Sequence, residues 1–494
     1  MLSALGAAGI TLIFFAPRFW LWPAAGATQS EFIAIQPEFH RAFYALQQLQ
    51  DPWQRITDGT HRVIEWRLLF PAAAHYLRLP AFIYFLLPAV GCLLVLSVVA
   101  ATTWRETRDR PTVWWATLLC ATQSWFFVST GWLAYFDSWL VLALLGASFA
   151  RSRWILFGSA LLAPWVDERF VLAIPLCLFV RFAMEQPSES TTASSRVADI
   201  LVILVGVAPY LGTRLTAEIF HWRETSRSYW ENRPLLPASV GIMALGAWEG
   251  LRFGWFAVLG ALFGVVRSGK AWLPLSVTLA TLVLNLCIAD DLSRSASVAV
   301  PLVVAGVVLA SRLRPIQFRW QLPLICVGNL LFPAAHLIAS SSDPEESFHR
   351  VPILYLYAEL ARASDPPYYA SPFAYNRRGT DAFQSGNETK ARAAFDIALR
   401  FDPSFSRTHA NLGIMLFQTG HRQEGMAELS LALQKSPQLY EARGQRATFR
   451  VELGDIPGAL SDINEALRCA PADWPMRKDA EHFASDLAAR LNRS

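Results

Sequence analysis

The chain has 494 residues, 53% of them hydrophobic and 17% charged, with a formal net charge of +4. Its mean hydropathy of +0.30 excludes a single soluble domain of this length, and so small a charge gives no footing for a nucleic-acid partner. Five of the six cysteines, Cys92, Cys120, Cys177, Cys287 and Cys326, lie in apolar runs and Cys469 stands alone, so neither a disulfide framework nor a zinc site is indicated.

In chain order, the first apolar run, 2–22, lacks a basic start and a cleavage site and reads as a retained first span. A long loop, 23–79, follows. Within it "EFIAIQPEFHRAFYALQQLQDPW" carries Phe39, Phe43, Leu46 and Leu49 at helical spacing, an amphipathic helix lying on a membrane. His40, His61 and His75 lack ligand spacing and read as surface residues. Further apolar runs at 80–103, 112–130, 136–150, 154–166, 170–182, 198–216, 238–266, 271–289, 295–311 and 321–340 bring the predicted spans to about eleven. Tryptophans such as Trp20, Trp104, Trp132, Trp154 and Trp320 sit at the ends of runs, as interfacial belts do.

Five short connections, "WRETRDRP", "RSR", residues 181–196, "RSGK" and "RLRPIQFR", carry twelve Lys or Arg on one side. The positive-inside rule puts that side and the N-terminus in the cytoplasm, with the C-terminal part outside, and it favours a hairpin over one long helix across 154–182. The expected setting is a bacterial cytoplasmic membrane with the C-terminal part periplasmic.

The opposite side collects the unusual polar residues: Asp137 in "LAYFDSW", Asp167, Glu168 and Arg169 in "LAPWVDERFVLAIP", and Asp290, Asp291 and Arg294 in "IADDLSR". Carboxylates beside arginines at a membrane boundary suit a general base or a divalent metal ion, and arginines suit phosphate. Each group also has a plainer reading. The "DER" triplet is then a solvated hairpin tip, Asp137 an N-cap, and the Asp290–Arg294 turn a local ion pair.

Apolar runs stop near 340. Residues 346–371, containing the amphipathic "RVPILYLYAELARA" between Pro-rich stretches, read as an interfacial linker. From 372 the chain repeats with a period of 34: Gly379, Gly413 and Ala447; Gly386, Gly420 and Gly454; Ala391, Gly425 and Ala459; Ala398, Ala432 and Ala466; Pro403, Pro437 and Pro471. This resembles the tetratricopeptide repeat in three copies over 372–473, with residues 475–492 as a solvating cap helix.

Three stretches of the membrane part, "PEFHRAFYALQQL", "YFDSWLVLALLGASFARSRWILFGSALLAPWVDERFVLAIPLCLF" and "ADDLSRSASVAVPLV", resemble the GT-C superfamily of membrane glycosyltransferases. That resemblance implies a polyprenyl-phosphate-linked sugar as donor and an enzyme that moves the sugar to an acceptor on the outer face. It makes Glu38 the base, Asp137 a second catalytic acid, and Arg67, Arg169 and Arg294 phosphate ligands. Asp167, Glu168, Asp290 and Asp291 are then supporting acids.

The expected fold is thus all-α: a polytopic GT-C-like domain over 1–345, the linker, and a tetratricopeptide α-solenoid over 372–494 that engages a protein partner. The alternatives are a surface-polysaccharide ligase or polymerase, and a non-enzymatic membrane-anchored repeat scaffold or transporter.

Overall fold

The computed structural model describes residues 1–15, 40–54, 62–184, 193–220, 239–267, 272–288, 291–313, 315–339, 348–353, 355, 372–401, 403–471 and 474–492. These fall into two compact units, one built from elements between Leu2 and Ile353 and the other from helices between Pro372 and Leu491.

The first unit is a helical bundle. Among the described residues four helices are long and apolar enough to cross a bilayer: Ala81–Thr107, Ser194–Ala217, Val240–Leu262 and Leu292–Leu313. This corrects the expected eleven spans. Apolar composition runs on through places where the backbone breaks. The 112–130 run is two helices, Arg110–Ala121 and Ser124–Gly131, parted at Thr122 and Gln123. The 154–166 run is a ten-residue helix, Arg153–Leu162, closed by a 3-10 turn at Pro164. Asp137–Phe149 has 13 residues, about 20 Å at 1.5 Å per residue against a core of about 30 Å.

Where helices reverse, the reason is local. Arg108 takes a left-handed φ of 52° after Ala81–Thr107, and Asp109 caps the next helix by accepting from the Thr112 amide at 3.1 Å. Arg153 and Arg181 both bind the Asp199 carboxylate, at 2.8 and 2.7 Å. The start of the Arg153–Leu162 helix and the end of Arg169–Ala183 therefore lie together, which makes 154–182 a hairpin.

The bundle core is aromatic and aliphatic, with Trp125, Phe126, Leu140, Leu144 and Phe170 almost fully buried. Close approach is set by small residues. A Cβ on Gly306 would strike the Ala257 backbone, so the Trp255–Arg267 and Val300–Leu313 helices meet backbone to backbone. Outward faces stay apolar: Leu201, Leu204, Val205 and Leu215 are half-exposed, and only 28% of the most apolar window of Ser194–Ala217 is buried. So much contiguous exposed aliphatic surface is what lipid covers in a membrane helix.

The unit is not purely helical. Strands β1 (Ala334–Ala339) and β2 (Phe348–Ile353) form an antiparallel pair, with Ala334 opposite Ile353 and Ala339 opposite Phe348. The expected span at 321–340 therefore ends in a strand after the Pro315–Leu331 helix, and the start of the expected interfacial linker is the second strand.

In the second unit six helices pair as Pro372–Gln384 with Glu388–Phe401, Ser406–Gln418 with Arg422–Lys435, and Tyr440–Glu452 with Ile456–Cys469, followed by Arg477–Leu491. This unit folds as a tetratricopeptide-like α-solenoid. Gly386, Gly420 and Gly454 have φ of 79°, 97° and 81°. Each ends a first helix in a left-handed turn that a side chain on Cβ would strain. The residue after each glycine donates back across the turn, Asn387 to Ala382 O, His421 to Leu416 O and Asp455 to Arg450 O, all at 2.8 Å. Ala398, Ala432 and Ala466 are fully buried between the paired helices.

Candidate functional site

Most charged residues singled out between the apolar runs converge. Asp137 and Arg169 each begin a helix, and Arg294 lies in the first turn after Asp291; these three starts meet at one end of the bundle. An acid in a first turn is favoured there by the helix dipole. Arg169 Nη2 donates to Asp137 Oδ1 at 2.7 Å and to Asp167 Oδ2 at 2.7 Å. Arg294 Nε lies 3.0 and 2.9 Å from the two Asp137 oxygens, and its Nη1 donates to Asp291 Oδ2 at 2.9 Å. Arg67 reaches in from the segment before the first long helix and binds Asp167 at 3.2 Å and Glu168 at 2.9 Å.

Asp137, Asp167, Arg169 and Arg294 are all buried. Burial alone would raise the Asp167 carboxyl, but the guanidinium groups of Arg169 and Arg67 outweigh it and hold it below the ordinary carboxylate range. Two plainer expectations are thereby corrected. Asp167 and Arg169 are not a solvated tip, since Asp167 is 3% exposed. Asp137 makes no capping bond, because its carboxylate is taken by two arginines. Glu38 and Asp290 lie outside the described residues.

Two members of the cluster escaped sequence reading. His336 on β1 is buried, with Nε2 3.4 Å from Asp291 Oδ1 and Nδ1 2.7 Å from Ser293 Oγ. The Ser293 hydroxyl also accepts from the Leu337 amide at 3.1 Å. The signal was a lone His within the apolar stretch "PAAHLIA", masked by the assumption of a helix. Chemically, the guanidinium groups of Arg67, Arg169 and Arg294 are paired with the carboxylates of Asp137, Asp167, Glu168 and Asp291, while Asp291 Oδ1 and His336 Nε2 face each other without a hydrogen bond. Among the described residues no group of three or more His, Cys, Asp or Glu is arranged to hold a metal ion.

The repeat unit carries a different kind of site. A hollow of about 780 Å³ is lined by the first helix of each repeat and by the last helix. Its walls follow the 34-residue period: Arg407 and Glu441 are equivalent positions, as are Asn411, Gln445 and Asp479. Asn411 Nδ2 donates to Asn376 Oδ1 at 3.0 Å, which leaves amide groups along the floor. The last stretch adds Trp474, Met476 and Phe483. Met476 is 57% exposed, and Trp474 packs edge-on to Tyr440 at 5.2 Å. The small-residue columns already fixed the repeat register. The groove residues were legible by stepping the same period onto the opposite face of each first helix.

Comparison with known proteins finds no family model and no curated protein that matches the chain. Among solved structures it is similar to the crystal structure of yeast Tom70, at 12% identity and a TM-score of 0.25, over 92% of this chain and 80% of that one. A likeness this slight carries no argument. The expected GT-C membership is corrected: no family model supports it, and among the described residues four candidate crossing helices stand where about eleven were expected. The polyprenyl-phosphate sugar donor implied by that membership is corrected with it.

Proposed function

We propose that this chain is a membrane-anchored repeat scaffold, whose apolar helices hold it in a bilayer while the groove of the repeat unit binds an extended segment of a partner protein. The observation that carries the reading is the groove itself. It is long enough to run across all three repeats and the last helix, and it presents side-chain amides, charges and aromatic surface with no chain of its own among the described residues filling it. The acid–arginine cluster then serves as an internal tie between helix starts, since its charges are committed to one another.

We further propose that the repeats lie on the non-cytoplasmic side. Arg105, Arg181 and Arg312 sit in the last turns of their helices, away from the cluster end, and are the positive charges expected inside. Ile338 on β1 forms a backbone bridge with Asp291, so this strand lies at the cluster end of the first unit.

Site-directed photocross-linking in membranes tests the function. A photoreactive residue at Gln445 in the groove is expected to give a discrete protein adduct, and one at the exposed Gln423 outside it none. Equal patterns from both positions sink the scaffold reading. Ser385→Cys, in a chain with Cys287 and Cys469 replaced by serine, tests orientation. Labelling of intact cells by an impermeant maleimide is expected, and labelling only after permeabilisation reverses the assignment.

A further inference from the structure

The groove is polarised in charge along its length. At the same position of successive first helices stand Arg407 and then Glu441; one turn further, Asn411 and Gln445 are followed by Asp479. Arg407, Glu441 and Asp479 are exposed. None of the three has an ion-pair partner among the described residues, in contrast to Arg446 and Arg450, which are both taken by Asp462. The acidic end is also the apolar end, because Trp474, Met476 and Phe483 line the hollow there beside Asp479. A bare carboxylate pair around an aromatic patch favours a ligand that supplies a cation next to a hydrophobic side chain.

We infer that the groove selects an extended segment with a bulky apolar residue next to a lysine or arginine, docked at the Glu441–Asp479–Trp474 end, and an acidic residue toward Arg407. This rests on the scaffold reading and adds to it the chemistry and direction of the bound segment. Packed helices lie about 8–10 Å apart and an extended chain rises about 3.3 Å per residue, so one repeat corresponds to about three residues of ligand. The acidic residue therefore stands about three residues from the basic one. Asn411 and Gln445, between the two charged ends, are placed to read backbone amides of the intervening residues.

The test uses the full chain in detergent against an array of randomised octapeptides, acetylated and amidated so that terminal charges play no part. Selected sequences are expected to carry the apolar–basic pair with an acid about three residues away. Binding is expected to weaken several-fold with Glu441→Gln or Asp479→Asn and about tenfold with both, as suits exposed charges. Raising salt is expected to weaken the unmodified chain more than the double variant. These positions are exposed and unpaired, so the variants retain the fold, which circular dichroism checks. Selection of peptides without a basic residue, or affinity unchanged in the double variant, overturns this inference and leaves the scaffold reading standing. No octapeptide bound above scrambled controls, together with no groove-specific cross-link, overturns both.

Discussion

Asp137 is the residue on which the cluster turns, because its two oxygens accept from Arg169 and Arg294 and its side chain is wholly buried. Breaking a buried ion pair leaves charge without a partner and costs about 3–5 kcal/mol, several times what an exposed pair is worth. Asp137→Asn is therefore expected to lower the thermal midpoint of the detergent-solubilised chain sharply, with tryptophan fluorescence as the readout. Glu168→Gln, at a side chain 32% exposed, is expected to cost about 0–1 kcal/mol. Equal losses from the two variants would show that burial does not decide the energetics here. The cluster's acids and arginines were legible because isolated charges in apolar runs are costly and so conspicuous. Their mutual pairing was not, since it joins residues up to 157 positions apart. The exception is the local Asp291–Arg294 pair at 2.9 Å, whose partners stand three positions apart and are read together from the turn.

At the scale of the element, the 34-residue columns were legible because a helical hairpin imposes close approach at fixed positions. Gly413 shows the constraint: a Cβ there would lie 2.8 Å from Gly425 O and 2.9 Å from the Leu429 amide nitrogen. Gly413→Ala must push two helices apart and is expected to destabilise the repeat unit by about 1–3 kcal/mol. Gly444, also inside a first helix, has nothing within 4 Å of its would-be Cβ. Gly444→Ala is expected to stabilise by about 0.5–1 kcal/mol through helix propensity. Urea unfolding of both variants checks the opposite signs, and a shared sign would refute the close-contact account. The helices of the first unit were less legible. Hydropathy registers composition and not backbone, so it ran through the break at Gln123, the 3-10 turn at Pro164 and the left-handed Arg252. It also took β1 for the end of a helix, although paired strands satisfy their backbone groups equally well.

At the scale of the whole molecule the two units differ in what covers them. Between Leu2 and Ile353 the long helices turn rows of leucine, isoleucine and valine outward, including Val90, Leu204, Leu215, Leu259 and Val283. In the repeats, apart from Leu453 and Met476, no large aliphatic side chain is strongly exposed among the described residues, and the outer faces carry ion pairs such as Arg477–Glu481 and Arg490–Asp486. Surface of the first kind is stable in lipid, where transfer of each exposed aliphatic chain to water costs about 25 cal/mol per Å². Surface of the second kind is stable in water. The full chain is accordingly expected to stay in the membrane pellet through high salt and alkaline carbonate and to enter solution only with detergent. A fragment of residues 366–494 is expected to remain in the supernatant without detergent and to show a helical circular-dichroism spectrum. Release of the full chain by carbonate would mean that the apolar rows are covered by protein and not by lipid. The repeat groove would then belong to a peripheral assembly whose partner chain also masks the Ser194–Ala217 face.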